Sequence, residues 1–148
     1  MAQPEREYQT NVIDPAIVLA YQQTEYRVQG SVPAILHVGV RSAQLALLHQ
    51  LHQTHCSAFV TACNPLGELV DAAVNAQRQE ALAAEISRQG HVAMAGIGQH
   101  PTGTWPPEPS FLVLGLTRTA ALQLGRQFEQ NAILWADADA IPQLILLR

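Results

Sequence analysis

The spacing of apolar positions, together with residues that cap helices, predicts four helical segments. Leu45, Leu48 and Leu51 follow one another at intervals of three, and Leu82 and Ile86 are four apart, as on one helix face. Each segment begins at a residue suited to an N-cap. The segments run from Asp14 to about Thr24, from Ser42 through Leu51, from Asp71 to Gln89, and from Thr117 to about Glu129.

Seven short runs between these helices have the composition and length of β-strands. They lie at residues 26–29, 35–38, 57–62, 91–97, 110–116, 131–135 and 144–147. The order mixes adjacent strand pairs with strand–helix–strand units. It predicts one compact α/β or α+β domain over residues 13–148, with a mixed β-sheet and about four packed helices. Residues 1–12 are predicted to form a flexible N-terminal arm.

The amino-acid composition indicates a globular protein but does not indicate a function. The 148 residues suit one domain, and 48% hydrophobic with 14% charged residues is a globular balance that excludes disorder. No apolar run approaches the ~20 residues that a membrane span needs. The first residues lack the pattern of a signal peptide, so we expect a cytoplasmic protein without a membrane partner.

The net charge of −4 also limits the partners. All eight basic residues are arginines, which are scattered along the chain and form no stripe that could follow a nucleic-acid backbone. Extended nucleic-acid binding is therefore excluded, whereas a pocket for one nucleotide is compatible with this charge. No cofactor is predicted.

Two asparagines form the first candidate for a binding site. On a helical wheel, Asn75 projects between Leu82 and Ile86 and so faces the loop after the preceding strand, which contains Asn64. A buried amide needs a hydrogen-bond partner. Asn75 therefore either braces the Asn64 turn or lines a ligand pocket together with Asn64.

A second candidate lies in the segment Trp105-Pro-Pro-Glu108-Pro-Ser110. The prolines hold Glu108 in an extended conformation and remove neighbouring N–H groups. A carboxylate held in this way suits an acid/base or a hydrogen-bond acceptor, or else it accepts from a nearby loop. Trp105 suits stacking on a ligand ring, or packing of the loop against the core.

A third candidate is Gln130 with Asn131, in a helix-to-strand connection where both can also cap the helix. Asp137 and Asp139 follow the next strand and lack the glycine and the final glutamate of an EF-hand loop, so they predict a turn.

The row His49, His52, His55 and Cys56 offers four potential zinc ligands. Successive histidines three residues apart diverge around a regular helix, so no metal site is predicted. We expect instead a surface His49 and a partly buried, hydrogen-bonded His52. Cys63, at a strand end, is expected to be a small buried thiol rather than a nucleophile.

Five motifs of this sequence, in the same order, resemble those of the bacterial domain-of-unknown-function family 3293. The resemblance extends from about Ile13 to Leu147 and rests on five motifs in order. They are Tyr21-x3-Glu-Tyr26, Thr61-Ala-Cys-Asn-Pro65, Asn75, Trp105-Pro-Pro-Glu-Pro-Ser-Phe111 and Gln130-Asn-Ala-Ile-Leu-Trp135.

The family resemblance implies a single compact α/β domain, with Asn64, Asn75, Glu108 and Gln130 as its signature polar positions. Where this chain has Cys63, the family usually has an aromatic residue, which argues further against a catalytic cysteine. The resemblance implies no activity.

Three readings of function follow. The first is a pocket for a small polar ligand or a nucleotide at strand ends, in which Asn64, Asn75, Trp105 and Gln130 bind the ligand and Glu108 is the candidate catalytic acid/base. The second is a non-catalytic protein-interaction or regulatory module. The third, compatible with either, is a homo-oligomer formed through residues 144–147. Whether the protein is an enzyme stays open at this point.

Overall fold

A computed structural model describes residues 13–103 and 105–148, which form four α-helices, a short 3₁₀ turn and seven strands. The arm predicted for residues 1–12 lies outside the described residues. The helices are α1 (Pro15–Gln23), α2 (Ala43–Leu51), α3 (Ala72–Arg88) and α4 (Arg118–Gln127). The strands are β1 (Glu25–Val28), β2 (Ala34–Leu36), β3 (Ser57–Val60), β4 (Val92–Gln99), β5 (Glu108–Leu114), β6 (Ala132–Ala136) and β7 (Gln143–Leu146).

Three of the four helices begin directly after an N-cap residue whose side chain accepts a backbone hydrogen bond. Asp14 accepts a hydrogen bond from the Ala16 N–H at 2.8 Å, Ser42 accepts from Leu45 at 3.1 Å, and Thr117 accepts from Ala120 at 3.2 Å. Such caps satisfy N–H groups that have no partner within the helix. The helix positions predicted from the sequence are therefore confirmed to within a few residues.

All seven strands belong to one sheet, in the order β2-β1-β4-β5-β3-β6-β7. Every pairing in it is antiparallel, so the α+β class with four helices is confirmed and the expectation of a mixed sheet is wrong. The three pairs β1–β2, β4–β5 and β6–β7 consist of strands adjacent in sequence. The other three pairs, β1–β4, β3–β5 and β3–β6, join strands that are distant in sequence, and these strands also run antiparallel.

The antiparallel order brings several separate segments to one end of the sheet. Glu25 at the start of β1 pairs with Gln99, and Glu108 at the start of β5 pairs with Gly98. Val60 at the end of β3 pairs with Phe111. The starts of β1, β5 and β6 and the ends of β3 and β4 therefore meet. The candidate polar residues lie in or next to these strand ends.

The two faces of the sheet carry separate hydrophobic clusters, because alternate side chains of a strand point to opposite faces. Phe59, Leu112 and Leu114 belong to the cluster that includes residues of α2, and Val60 and Val113 belong to the cluster with α3 and α4. α1 contributes no fully buried residue. Within the described residues, no helix is long and apolar enough to cross a membrane.

The histidines of α2 are arranged opposite to the prediction. His49 is buried and lies 2.8 Å from the Ser57 hydroxyl through Nε2, whereas His52 is exposed. The buried face of α2 is formed by Leu45, Leu48 and His49, and Leu51 is 59% exposed. The prediction was wrong because it took Leu51 as part of the buried face, and the helix ends there.

Candidate functional site

A cavity of about 280 Å³ lies at the end of the sheet where the strand ends meet. α1 contributes Ile17 and Tyr21 to its wall, and the strands contribute apolar side chains such as Phe59 and Leu134. The segment between β4 and β5 contributes His100 and other side chains. Four of the five candidate site residues line this cavity: Asn64, Trp105, Glu108 and Gln130.

The turn after β3 is built around Asn64, which has a left-handed backbone (φ 51°) that asparagine tolerates better than most residues. Its backbone N–H donates to the Asn75 Oδ1 at 2.8 Å, and the Asn75 Nδ2 donates back to the Asn64 Oδ1 at 3.0 Å. Asn75 thus faces the Asn64 turn, as the helical wheel indicated. It lies behind the turn and braces it, and it does not line the cavity.

Glu108 is held by two donors that converge on one of its carboxyl oxygens. The Asn64 Nδ2 donates to Oε2 at 2.7 Å, and the Trp105 indole N–H donates to the same atom at 3.1 Å. Among the described residues, no hydrogen bond reaches Oε1. Burial raises the pKa of Glu108, and the bonds from Asn64 and Trp105 oppose this shift. The site therefore contains a largely buried carboxyl group with one unused oxygen.

The contacts of Asn64 fix its side chain so that the amide nitrogen points towards Glu108. Its Oδ1 accepts from the Val70 N–H at 3.1 Å and from Asn75, so its amide nitrogen is the group that faces Glu108. Because these contacts occupy the oxygen and one N–H of Asn64, the residue is better suited to positioning Glu108 than to binding a ligand itself.

Gln130 also connects segments of the site. Its Nε2 donates to the Cys63 carbonyl at 3.1 Å and to the Phe128 carbonyl at 3.1 Å. These bonds join the end of α4 to the turn after β3. Cys63 is 1% exposed, and burial raises the pKa of its thiol, which agrees with a packed side chain and not with an activated nucleophile.

Two polar residues of the cavity, Tyr21 and Asn131, were not among the residues predicted to bind the ligand. In the sequence analysis Tyr21 appears only in a family motif, and Asn131 accompanies Gln130 as a residue that can also cap the helix. In the structure, the Asn131 Nδ2 donates to the Tyr21 hydroxyl oxygen at 3.2 Å, and Arg148 donates to the Asn131 Oδ1 at 2.8 Å. The only signal in the sequence was that both residues occur in the motifs of the family resemblance.

Asn131 also explains a glycine in the turn. Gly67 has φ 76°, and a Cβ added there would lie 2.7 Å from the Asn131 Nδ2. A side chain at this position would therefore meet both a strained backbone and the amide that contacts Tyr21.

The remaining candidates lie away from the cavity. Asp137 and Asp139 form the predicted turn, in which their carboxylates accept backbone hydrogen bonds from Ala138 and Ile141. Within residues 13–103 and 105–148, no group of three or more His, Cys, Asp or Glu side chains is placed to hold a metal ion.

The sequence pattern that defines the family described as "Protein of unknown function (DUF3293)" matches residues 60–133, half of the chain. The chain belongs to the DUF3293 family. The matched segment of this DUF3293 member includes Asn64, Asn75, Glu108 and Gln130, and it ends before Arg148. No curated protein and no solved structure matches the chain.

Proposed function

We propose that this DUF3293 protein binds a small ligand through an N–H group that donates to Glu108. One observation carries the proposal: the largely buried Glu108 carboxyl lines an apolar cavity, and among the described residues its Oε1 has no hydrogen-bond partner whereas its Oε2 has two donors. The volume of about 280 Å³ is near the lower end, roughly 300 Å³, of ordinary ligand pockets. It suits a single small molecule.

The chemistry of the ligand group follows from the partners of Oε2. The indole N–H of Trp105 can only donate, so Oε2 acts as an acceptor in this contact. The carboxylate then offers a second acceptor, Oε1, to a ligand. A donor, above all a protonated nitrogen, would offset the desolvation that raises the pKa of Glu108. Ligand binding should therefore favour the ionised carboxylate.

The same carboxyl group is the candidate acid/base that would exchange a proton with the ligand, if chemistry follows binding. Asn64, Asn75 and Gln130 then position it, and Trp105 both orients Glu108 and forms part of the cavity wall. Both cysteines are free thiols, which suits the reducing bacterial cytoplasm in which we expect the protein to act.

The test is a calorimetric titration with three probes of similar size: phenethylamine, phenethyl alcohol and 3-phenylpropionate. We expect the amine to bind most tightly. Glu108→Gln should weaken amine binding about tenfold or more, because a hydrogen bond to a charged group is worth about 1.5–3 kcal/mol. Glu129→Gln is the matched control, since that carboxylate is 55% exposed and outside the cavity wall.

The proposal also predicts how the affinity for the amine changes with pH. Because burial raises the pKa of Glu108, the affinity for the amine should increase as the pH rises through that pKa, and in Glu108→Gln this dependence should disappear. Equal affinities for the three probes, or an unchanged affinity in Glu108→Gln, would contradict the proposal.

A further inference from the structure

A second chain of hydrogen bonds ends at the same cavity, and its polarity can be followed atom by atom. The Arg148 guanidinium can only donate, and it lies 2.8 Å from the Asn131 Oδ1. The amide nitrogen of Asn131 must then face the other way, where it lies 3.2 Å from the Tyr21 hydroxyl oxygen. The Tyr21 oxygen is therefore an acceptor in this contact.

The hydroxyl hydrogen of Tyr21 is left available by this arrangement. Among the described residues, no acceptor receives a hydrogen bond from it, and Tyr21 lines the cavity. Burial raises the pKa of Tyr21, so the hydroxyl stays protonated at neutral pH. The chain that begins at Arg148 thus ends in a donor, whereas the chain through Asn64 ends in an acceptor at Glu108.

The walls of the cavity suit a flat ring. Four of the eight aromatic residues of the chain line it: Tyr21, Tyr26, Phe59 and Trp105. Tyr26 and Phe59 pack edge to face, with ring centres 5.4 Å apart and an interplanar angle of 75°. Aromatic walls of this kind favour stacked or edge-on contacts with a planar ligand.

We propose that the cavity binds a planar nitrogen heterocycle of the nucleobase class, with a ring or exocyclic N–H donating to Glu108 Oε1 and a carbonyl oxygen or ring nitrogen accepting from the Tyr21 hydroxyl. The inference rests on the proposed function, because it takes the Glu108 contact as given and adds the second contact. It concerns a free base rather than a nucleotide. No arginine or lysine is among the described lining residues, and Arg148 is bound to Asn131.

The experiment measures affinity by calorimetry for uracil, cytosine, hypoxanthine and phenethylamine, with UMP as the phosphorylated arm. The variants are Tyr21→Phe, which keeps the ring and removes the hydroxyl, and Glu108→Gln. We expect Tyr21→Phe to weaken binding of the tightest base roughly fivefold or more, because an acceptor of the base is then left unpaired inside the cavity. Its affinity for phenethylamine should stay within about twofold, since that probe has no acceptor for the hydroxyl.

The amine also shows whether Tyr21→Phe is folded, so a structural defect would appear as a loss of both ligands. Base and amine weakened equally, in a Tyr21→Phe variant whose thermal unfolding matches that of the wild type, would overturn the specific role of the Tyr21 hydroxyl. Base binding that is unchanged in Tyr21→Phe would overturn it too.

The remaining outcomes separate the two proposals. Amine binding that depends on Glu108, with no binding of any base, would overturn this inference and leave the proposed function standing. If neither bases nor the amine bind, both proposals fail. UMP binding tenfold or more tightly than uracil would overturn the assignment to a free base.

Discussion

Two regions of the molecule each bury one titratable side chain, and they differ in what surrounds its unused atom. At the end of α2, His49 contacts Ser57 through Nε2, and its Nδ1 is buried with no hydrogen-bond partner in the described part of the chain. At the cavity, Glu108 receives two donors on Oε2 and keeps Oε1. His49 also lines a second hollow, but its Nδ1 atom is shielded from solvent, whereas Glu108 lines the apolar cavity at the end of the sheet.

This comparison shows why the number of reactive residues in a segment is a poor guide to a site. The histidine row is the denser cluster in the sequence, yet the helix sends His49 inward and leaves His52 exposed. Glu108 is a single acid between prolines. It becomes the stronger candidate because the fold brings Asn64, from the turn after β3, and Trp105, from its own loop, to one of its carboxyl oxygens.

The largest expected effect is on stability, and it compares how much the hydrogen bonds of each region contribute to the free energy of unfolding. Asn64→Ala removes the acceptor of the Val70 N–H and of the Asn75 amide, and it removes one of the two donors to Glu108. We expect it to lower the free energy of unfolding by about 3 kcal/mol or more, because each buried polar group left unpaired costs roughly 1–3 kcal/mol. Urea unfolding measures this loss.

Ser57→Ala is the counterpart in the histidine region and removes one contact, that to His49. It should lower the free energy of unfolding by about 1–2 kcal/mol. If Ser57→Ala were as destabilising as Asn64→Ala, the two regions would be equally braced, and the contrast drawn between them would be wrong.

The next effect concerns pH, for which the two buried groups should act in opposite directions. Burial raises the pKa of Glu108 above its ordinary 4.5, so the folded state loses stability as the pH rises from about that value through the folded pKa. Burial lowers the pKa of His49 below 6.5, so stability falls as the pH drops from about 6.5 towards the folded pKa.

Each dependence has a variant that should remove it. Relative to the wild type, Glu108→Gln should gain stability as the pH rises above about 4.5, and His49→Gln should gain as the pH falls below about 6.5. Thermal unfolding from pH 4 to pH 8 measures both. Parallel curves for a variant and the wild type would show that the substituted group does not titrate differently on folding.

The smallest expected effect is that of zinc on the histidine row. His49 is directed into the core and His52 is exposed, so the two do not converge on one ion. We expect an equimolar addition of Zn²⁺ to change the melting temperature by less than about 1 °C, because an ion stabilises a fold only where it binds the native state. A clear increase that His49→Gln abolishes would contradict this view of the region.

Local sequence rules predicted the helices and strands well. Asn75 could be placed correctly because the wheel uses only the regular spacing of one helix, and Glu108 could be recognised because proline restricts its neighbours. The error on His49 arose because the predicted buried face included Leu51, which is exposed at the last position of α2.

The strand directions and the second half of the site depend on contacts between distant parts of the chain. Tyr21 and Asn131 are 110 positions apart and meet only because β1 and β6 begin at the same end of the sheet. No periodicity within either segment indicates such a contact. Both residues occur in motifs of the family resemblance. Those motifs indicate which residues matter but not that Tyr21 and Asn131 contact each other.

Trp105 gives the site a spectroscopic property of its own. Its indole nitrogen bonds to the carboxyl oxygen of Glu108, so a change in the charge or occupancy of that carboxyl alters the electric field at a fluorophore. The other tryptophan, Trp135, donates to the Leu116 carbonyl elsewhere in the fold. With Trp135 replaced by phenylalanine, the emission of the protein would report on the cavity alone, and ligand exchange could be followed in real time without any added dye.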